Sequence, residues 1–217
     1  MAMCGLFNKK KEFNECKELA ESGDIDAQLR LGDMYLKGRG IKKDRDEGMK
    51  WHIVAAENGS VDAQYQLGIY HYSQVMHKEA VKWLSAAAEN GHANAQVMIG
   101  YCYHEGNGVR QDIKQAMRWY EKAAEQGDMT AQIVLGNMYG AGEGVEADQV
   151  KAIGWYKLAA EQGDAHSQFI LGIACFAGTG VPQDVETAIR WLIKAAKQGE
   201  KGAIEELKKL GIDKKLL

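Results

Sequence analysis

The hydrophobic and polar positions between Ala131 and Gly163 follow two successive helical patterns, separated by a glycine-rich turn. The first helix is predicted to run to about Ala141, with apolar positions at helical spacing: Ala131, Leu135, Met138 and Tyr139. The segment 142–144, Gly-Glu-Gly, ends this helix and turns the chain. A second helix is predicted to begin after an N-cap at Asp148 and to end at Gly163. The pattern therefore predicts a pair of antiparallel helices.

The same pattern returns along nearly the whole chain. All five tryptophans occupy one slot of it: Trp51, Trp83, Trp119, Trp155 and Trp191. Copies begin at Ala27, Ala63, Ala95, Ala131 and Ser167, which gives a step of 36 residues and a single step of 32. A two-helix unit of this length cannot bury both of its faces, so the copies are expected to stack into a solenoid.

Partial copies are predicted at both ends. Residues 11–22 align with the second half of a copy, and Glu15 stands in the tryptophan slot, as expected for an outermost helix without a neighbour. Ala203–Leu210 begins a sixth copy and stops after one helix. The predicted organisation is an N-terminal capping helix over 1–26, five copies over 27–202 (27–62, 63–94, 95–130, 131–166 and 167–202), and a C-terminal capping helix and tail over 203–217.

Three copies depart from the pattern. The first has Gly48 where the others have alanine, which is expected to weaken that helix by roughly 1 kcal/mol. The second lacks the glycine turn, and its link, residues 70–77, is interpreted either as a tighter turn or as a local binding feature. The fifth has a first helix that is apolar almost all round, so its Phe169, Ile170 and Ile173 are expected either to be covered by the C-terminal cap or to form an exposed binding patch.

The repeated motif A-Q-x-x-L-G-x-x-Y-x-x-G-x-G-V-x-x-D-x-x-x-A-x-x-W-x-x-x-A-A-E-x-G resembles the Sel-1-like repeat (SLR) family, which is related to the tetratricopeptide repeats. The resemblance covers residues 27–202. It implies an all-α fold, a right-handed α/α superhelix of five SLR repeats with a half-repeat cap at each end. It also implies a protein-binding or peptide-binding adaptor, although a fold does not by itself name a partner.

A binding surface follows from the same resemblance, because first helices line the concave face in tetratricopeptide-like stacks. Offsets 4, 7 and 11 of each copy form one stripe on the first helix. The predicted partner-binding residues are Arg30, Asp33, Lys37, Gln66, Ile69, Ser73, Met98, Tyr101, Glu105 and Asn137. Tyr101, Met98, Ile69 and Arg30 are the expected anchors. The alternative for Ile69, Met98, Val134 and Ile170 is packing between adjacent first helices.

Composition narrows the function classes. The net charge is −3 with both signs mixed, and no apolar run approaches the ~18 residues of a membrane span, so neither a nucleic-acid partner nor a membrane partner is expected. The N-terminus lacks the apolar core of a secretory signal, which predicts a cytoplasmic protein, with secretion by a non-classical route as the alternative. No copy contains two cysteines, so Cys102 and Cys175 are predicted to be buried packing residues without disulfides.

No catalytic constellation is visible. The histidines are scattered over different copies, and neither a metal site nor any other cofactor is expected: His52, His71, His77, His92, His104 and His166. The prediction is therefore a non-enzymatic adaptor. Two alternatives stay open. One is a structural module that self-associates weakly through its end copies. The other is a hydrolase-like binder of β-lactams or peptides, as described for some SLR relatives, although the chain has no S-x-x-K motif.

Overall fold

The computed structural model describes residues 2–212, with side chains from residue 9 onward, and residues 213–217 of the predicted tail lie outside this part. All regular structure within residues 2–212 is helical. The helices are α1 (Ala2–Glu21), α2 (Ile25–Lys37), α3 (Arg45–Glu57), α4 (Val61–Ser73), α5 (His77–Glu89), α6 (Ala93–Glu105), α7 (Ile113–Glu125), α8 (Met129–Ala141), α9 (Gln149–Glu161), α10 (Ala165–Ala177), α11 (Val185–Lys197) and α12 (Lys201–Lys209). The capping helix α1 begins at Ala2, nine residues before Lys11, where the alignment with the second half of a copy begins.

The helices form two compact units. The first unit ends at Arg110 and contains α1 to α6, and the second begins at Gln111 and contains α7 to α12. Within each unit the two helices of a copy pack against each other, and each pair also packs against the helix that precedes or follows it. The short turns between them make neighbouring helices antiparallel.

Local sequence signals define the helix ends. The predicted N-cap at Asp148 is confirmed, because its carboxylate accepts a hydrogen bond from the backbone N–H of Lys151 at 3.0 Å. The turn predicted at 142–144 is also confirmed, since Gly142 ends α8 in the left-handed conformation at φ 74°. Asp24, Asp128 and Asp164 cap first helices in the same way.

The glycine of each Leu-Gly pair makes room for the side chain that follows the tryptophan of the same copy. An added Cβ would lie 2.9 Å from the Tyr156 ring at Gly136, and 2.2 Å from the His52 ring at Gly32. Gly68 meets Leu84 in the same manner. Distances this short leave no space for a methyl group, so the close approach of the two helices in a copy depends on these glycines.

A second recurring device is a row of buried glutamines, which we call the glutamine ladder: Gln28, Gln64, Gln96, Gln132 and Gln168. The Nε2 of Gln132 donates to the Ala124 carbonyl at 3.2 Å, and its Oε1 accepts from Gln162 at 2.8 Å. All five make the bond to the alanine carbonyl eight residues earlier. The ladder ties each first helix to the end of the helix before it.

The short second copy has the tighter turn that one of its two interpretations predicted. Most of the predicted link, residues 70–77, is helical, because no glycine stops α4 before Ser73, and only 74–76 lie between the helices. Val75 takes the left-handed conformation at φ 62° that glycine takes in other copies. In the first copy, a Cβ on Gly48 would lie 2.7 Å from Leu36 Cγ, so this glycine also accommodates a packed side chain.

The C-terminal helix α12 covers part of the apolar fifth copy. Phe169 and Ile173 pack against a buried cluster that includes Ala203 and Leu207 of α12. Gly202 approaches the Phe169 ring so closely that a Cβ would lie 2.7 Å from Cζ. The interpretation as a cap is therefore confirmed for these two side chains, while Ile170 is half-buried.

Candidate functional site

The predicted partner-binding residues lie on three helices of the first unit, except for Asn137, which lies on α8 in the second unit. We call the nine residues of the first unit the stripe: Arg30, Asp33 and Lys37 on α2, Gln66, Ile69 and Ser73 on α4, and Met98, Tyr101 and Glu105 on α6. Six of them are exposed, whereas Asp33, Ile69 and Met98 are half-buried.

The charged end of the stripe is held by weak ion pairs. Arg30 Nη2 lies 3.5 Å from Glu12 Oε1 of α1, and the Arg30 side chain remains 65% exposed. Lys37 pairs with Asp33 one turn earlier on α2. Exposed pairs of this kind contribute about 0–1 kcal/mol. A partner carboxylate could therefore displace either of them at little cost.

Asp33 also contacts the second helix of its own copy. Its Oδ1 lies 3.3 Å from Nε2 of His52, a buried side chain of α3. Burial lowers the pKa of His52 below its ordinary value, and the Asp33 carboxylate opposes this effect. Asn137 stands in the equivalent position and accepts a hydrogen bond from the Tyr156 hydroxyl. Both predicted binding residues thus have structural partners that the sequence analysis did not assign.

Tyr101 lies beside a group of aromatic and polar side chains from the short second copy. The ring centroids of Tyr72 and Tyr101 are 6.4 Å apart, and those of Tyr72 and His77 are 4.9 Å apart. Asn107 donates a hydrogen bond to the Tyr72 hydroxyl at 3.0 Å, and burial raises the pKa of Tyr72. Tyr101 itself is 42% exposed. The sequence signal for this group was the concentration of aromatic residues in the second copy.

Two cavities open on the first unit near the start of α2. The larger, which we call the acidic cavity, has a volume of about 610 Å³ and lies between the N-termini of α2 and α4; its lining includes Asp24, Ile25, Asp26, Val61 and Asp62. The smaller, of about 310 Å³, lies between α1 and α2 and shares Asp24 and Asp26 with it. Neither cavity follows from the sequence pattern, because each is formed by residues from separate helices.

The described side chains offer little reactive chemistry. Cys16, Cys102 and Cys175 are free and buried, which confirms the packing role predicted for the last two. Burial raises the pKa of Cys102 to about 11, so its thiol stays protonated and weakly nucleophilic at neutral pH. Among residues 9–212, no three His, Cys, Asp or Glu side chains form a group that could hold a metal ion. No helix of the described chain is both long and apolar enough to cross a membrane.

Paired helices that recur with the same caps, glycines and glutamines define a helical-repeat protein. The Sel1 repeat model matches five segments, residues 25–60, 61–92, 93–128, 130–164 and 165–200. The chain belongs to the Sel1 repeat family, and the fold class predicted from the sequence is confirmed.

Solved structures support the same conclusion. The chain is 36% identical to c5321, a protective antigen present in uropathogenic Escherichia coli strains that displays an SLR fold, with a TM-score of 0.81 over 88% of this chain and 42% of that one. It is 34% identical to a Sel1 repeat protein from Oxalobacter formigenes, with a TM-score of 0.76 over 94% of this chain and 88% of that one.

A curated relative matches over a shorter stretch. The sel1-like repeat-containing protein L21 of Acanthamoeba polyphaga mimivirus is 31% identical over 64 residues, which are 30% of this chain and 12% of the viral protein. The chain thus spans less than half the length of both the viral protein and the E. coli antigen.

Proposed function

We propose that this chain is a non-enzymatic adaptor that binds a protein or peptide segment along the stripe, and that Asn137, on α8 of the second unit, is a separate contact residue. Sel1 repeat solenoids are commonly protein-interaction scaffolds. The observation that carries the proposal is the contrast within each first helix. On α6, for example, Ile99, Gly100 and Cys102 are buried in packing, while Tyr101 and Glu105 are exposed. The stripe is therefore the part of these helices that packing leaves available to a partner.

The chemistry of the stripe changes from one helix to the next. The exposed groups on α2 are charged, Arg30 and Lys37, and those on α4 are the polar, uncharged side chains of Gln66 and Ser73. On α6, Tyr101 offers a broad ring whose contact area costs little conformational entropy. A matching segment would place polar or acidic residues against α2 and an apolar or aromatic residue against α6. The proposed function includes no catalytic step and no cofactor. The proposed location is the cytoplasm, because the N-terminal residues lack the apolar core of a secretory signal.

The test begins with selection of peptides from a random display library on the whole chain. The selected peptide is then labelled, and its Kd is measured by fluorescence anisotropy for wild type, Tyr101→Ala and Arg30→Ala. We expect each variant to bind at least about tenfold more weakly, the size of effect seen for interface anchors. Thermal unfolding should change little, because both side chains are exposed.

The matched controls are Leu158→Ala and Arg190→Ala on second helices of the second unit. Leu158 is 42% exposed, like Tyr101, and the Arg190 side chain is 64% exposed, close to that of Arg30. Both controls should retain the wild-type Kd. Full affinity in both stripe variants would remove the stripe as the binding surface, and a wild-type chain that selects no peptide would argue against the adaptor function itself.

A further inference from the structure

The acidic cavity has no side chain in common with the stripe. Its walls are the first turns of α2 and α4 and the two turns that precede them. Its lining carries three carboxylates, Asp24, Asp26 and Asp62, together with apolar side chains, Ile25, Leu29 and Val61, and contains no lysine or arginine. The surface is therefore both acidic and apolar.

The negative charge exceeds what the helix ends require. Each helix N-terminus carries about half a positive charge, so the three carboxylates leave a net charge of about −2. Asp24 is committed to capping α2, since it accepts from the Ala27 N–H at 2.7 Å. The exposed Asp62 lies 3.8 Å from the ring of His92, and Asp26 is also exposed. Asp26 and Asp62 thus supply the excess charge.

The repeats provide an internal comparison for these two positions. The N-cap slot keeps a capping side chain at every first helix, because the fold needs it. The slot two residues after the N-cap holds Asp26 and Asp62 in the first two copies. In the later copies the same slot holds Asn94, Thr130 and His166. The fold therefore does not require a carboxylate at this slot, and both carboxylates line the same cavity.

The opposite end of the chain has the complementary chemistry. On and after α12, Lys201, Lys208 and Lys209 are exposed, with Lys209 in an exposed ion pair with Glu206 at 2.6 Å, and Leu210 is 40% exposed. Lys208 stands where every full copy has the glycine of its Leu-Gly pair, and no second helix follows α12 within the described residues. The sequence continues Asp213-Lys214-Lys215-Leu216-Leu217, so residues 208–217 carry four lysines, one aspartate and three leucines.

We propose that the acidic cavity binds the lysine-rich C-terminal segment, residues 201–217, of a second copy of this chain. The lysine ammonium groups pair with Asp26 and Asp62, and a leucine of the segment packs against Ile25, Leu29 and Val61. This contact is heterologous, since the cavity of one copy binds a different surface, the C-terminal segment, of the next copy. It leaves the stripe free and does not depend on the adaptor function.

The test measures the weight-average mass of the full chain by light scattering, from roughly 10 µM to 1 mM protein, the range of a weak contact. At a salt concentration of roughly 50 mM, we expect the mass to rise above the monomer value of 24.0 kDa with concentration. At roughly 500 mM salt it should return to that value, because exposed charge pairs are screened. A chain that stays monomeric throughout at low salt would overturn the proposal.

Charge exchange identifies the surfaces. The Asp26→Lys/Asp62→Lys variant should self-associate about tenfold more weakly than wild type, and so should Lys208→Glu/Lys209→Glu. An equimolar mixture of the two should regain the wild-type mass, because each provides the surface that the other now fits.

The matched control reverses two carboxylates outside the cavity, Glu125→Lys/Glu146→Lys, and keeps both the acidic cavity and the lysine-rich segment. This variant should self-associate as wild type does. A loss of association equal to that of Asp26→Lys/Asp62→Lys would show a general effect of net charge and overturn the proposal, as would failure of the equimolar mixture to associate. Peptide binding to the stripe is measured by fluorescence anisotropy and self-association by light scattering. Each proposal can therefore fail while the other holds.

Discussion

Two glycines of the fourth copy, Gly136 in α8 and Gly154 in α9, should respond in opposite ways to the same added methyl group. Both lie inside helices, where alanine is favoured over glycine by up to about 1 kcal/mol. A Cβ at Gly154 meets no atom within 4 Å, and this position is exposed. Gly154→Ala is therefore expected to raise the free energy of unfolding by about 0.5–1 kcal/mol.

At Gly136 the added methyl group would overlap the ring of Tyr156. Three ring atoms would lie within 3.0 Å of it, and the ring is buried and hydrogen-bonded to Asn137. Overpacking of this kind costs roughly 1–3 kcal/mol. Since the gain in helix propensity is common to both variants, it cancels in their comparison. Gly136→Ala should be less stable than Gly154→Ala by about 1–3 kcal/mol.

Urea unfolding, followed by circular dichroism and tryptophan fluorescence, measures this difference, and amide hydrogen exchange in α8 and α9 locates it. The two sites belong to one copy, so unequal stability of different copies affects both variants alike. Equal stability of the two variants would refute the argument that the Leu-Gly glycines are required by the side chain packed against them. If instead the ring is the obstacle, Tyr156→Ala should remove much of the penalty of Gly136→Ala in the double variant.

Three further changes test separate features. Val75→Gly should raise the unfolding free energy by about 0.5–1 kcal/mol, because relief of left-handed strain at a 74% exposed side chain exceeds the added chain entropy; a lower urea midpoint would contradict this. Gln132→Leu should cost about 1–2 kcal/mol in the same assay, since it removes two hydrogen bonds, while the Ala124 carbonyl keeps the bond from the Gly127 N–H and the Gln162 amide keeps its bond to the Gly127 carbonyl. Because burial lowers the pKa of His52, the folded state resists a proton that the unfolded state accepts, so stability is retained above a pH of about 6.5 and falls below it. The His52→Leu variant should lose less unfolding free energy than wild type between about pH 7 and pH 5. An equal loss in the variant and in wild type would exclude His52 as the source of the pH dependence.

The sequence predicted those features that depend on neighbouring residues. The cap at Asp148 and the turn at Gly142 are local signals, and both are confirmed. The glutamine ladder was not predicted, although the Ala-Gln pair is part of the motif. The carbonyl to which Gln132 donates belongs to Ala124 in another copy, and the amide that donates to Gln132 belongs to Gln162, 30 residues away. Val75 was missed because a β-branched residue does not normally signal a left-handed turn.

The exposure of the proposed binding residues was partly predictable from the sequence, but their contacts were not. The i, i+3, i+7 spacing found side chains that packing leaves exposed, such as Arg30 and Tyr101. It could not show that Asp33 lies beside His52. The repeats do contain a signal for this pairing, because the residue after the tryptophan varies together with the residue at offset 7 of the same copy. Both are polar in two copies, His52 with Asp33 and Tyr156 with Asn137. In two others, leucine follows the tryptophan and isoleucine stands at offset 7: Leu84 with Ile69, and Leu192 with Ile173. The cavities and the charge at their rims could not be predicted, because they depend on the relative positions of several helices.

The glutamine ladder is interrupted at Gln64, whose Oε1 has no hydrogen-bond partner within the described chain. Because the second copy is four residues shorter, Asn90, in the slot of Asn58 and Gln162, donates instead to the Ala86 carbonyl of its own helix. The end of α5 therefore lacks a fastening that α3, α9 and α11 possess. The C-terminal end of α5 should therefore separate from α4 more readily than the C-terminal end of α3 separates from α2, so local opening in the first unit is expected to begin at the end of the shortest copy.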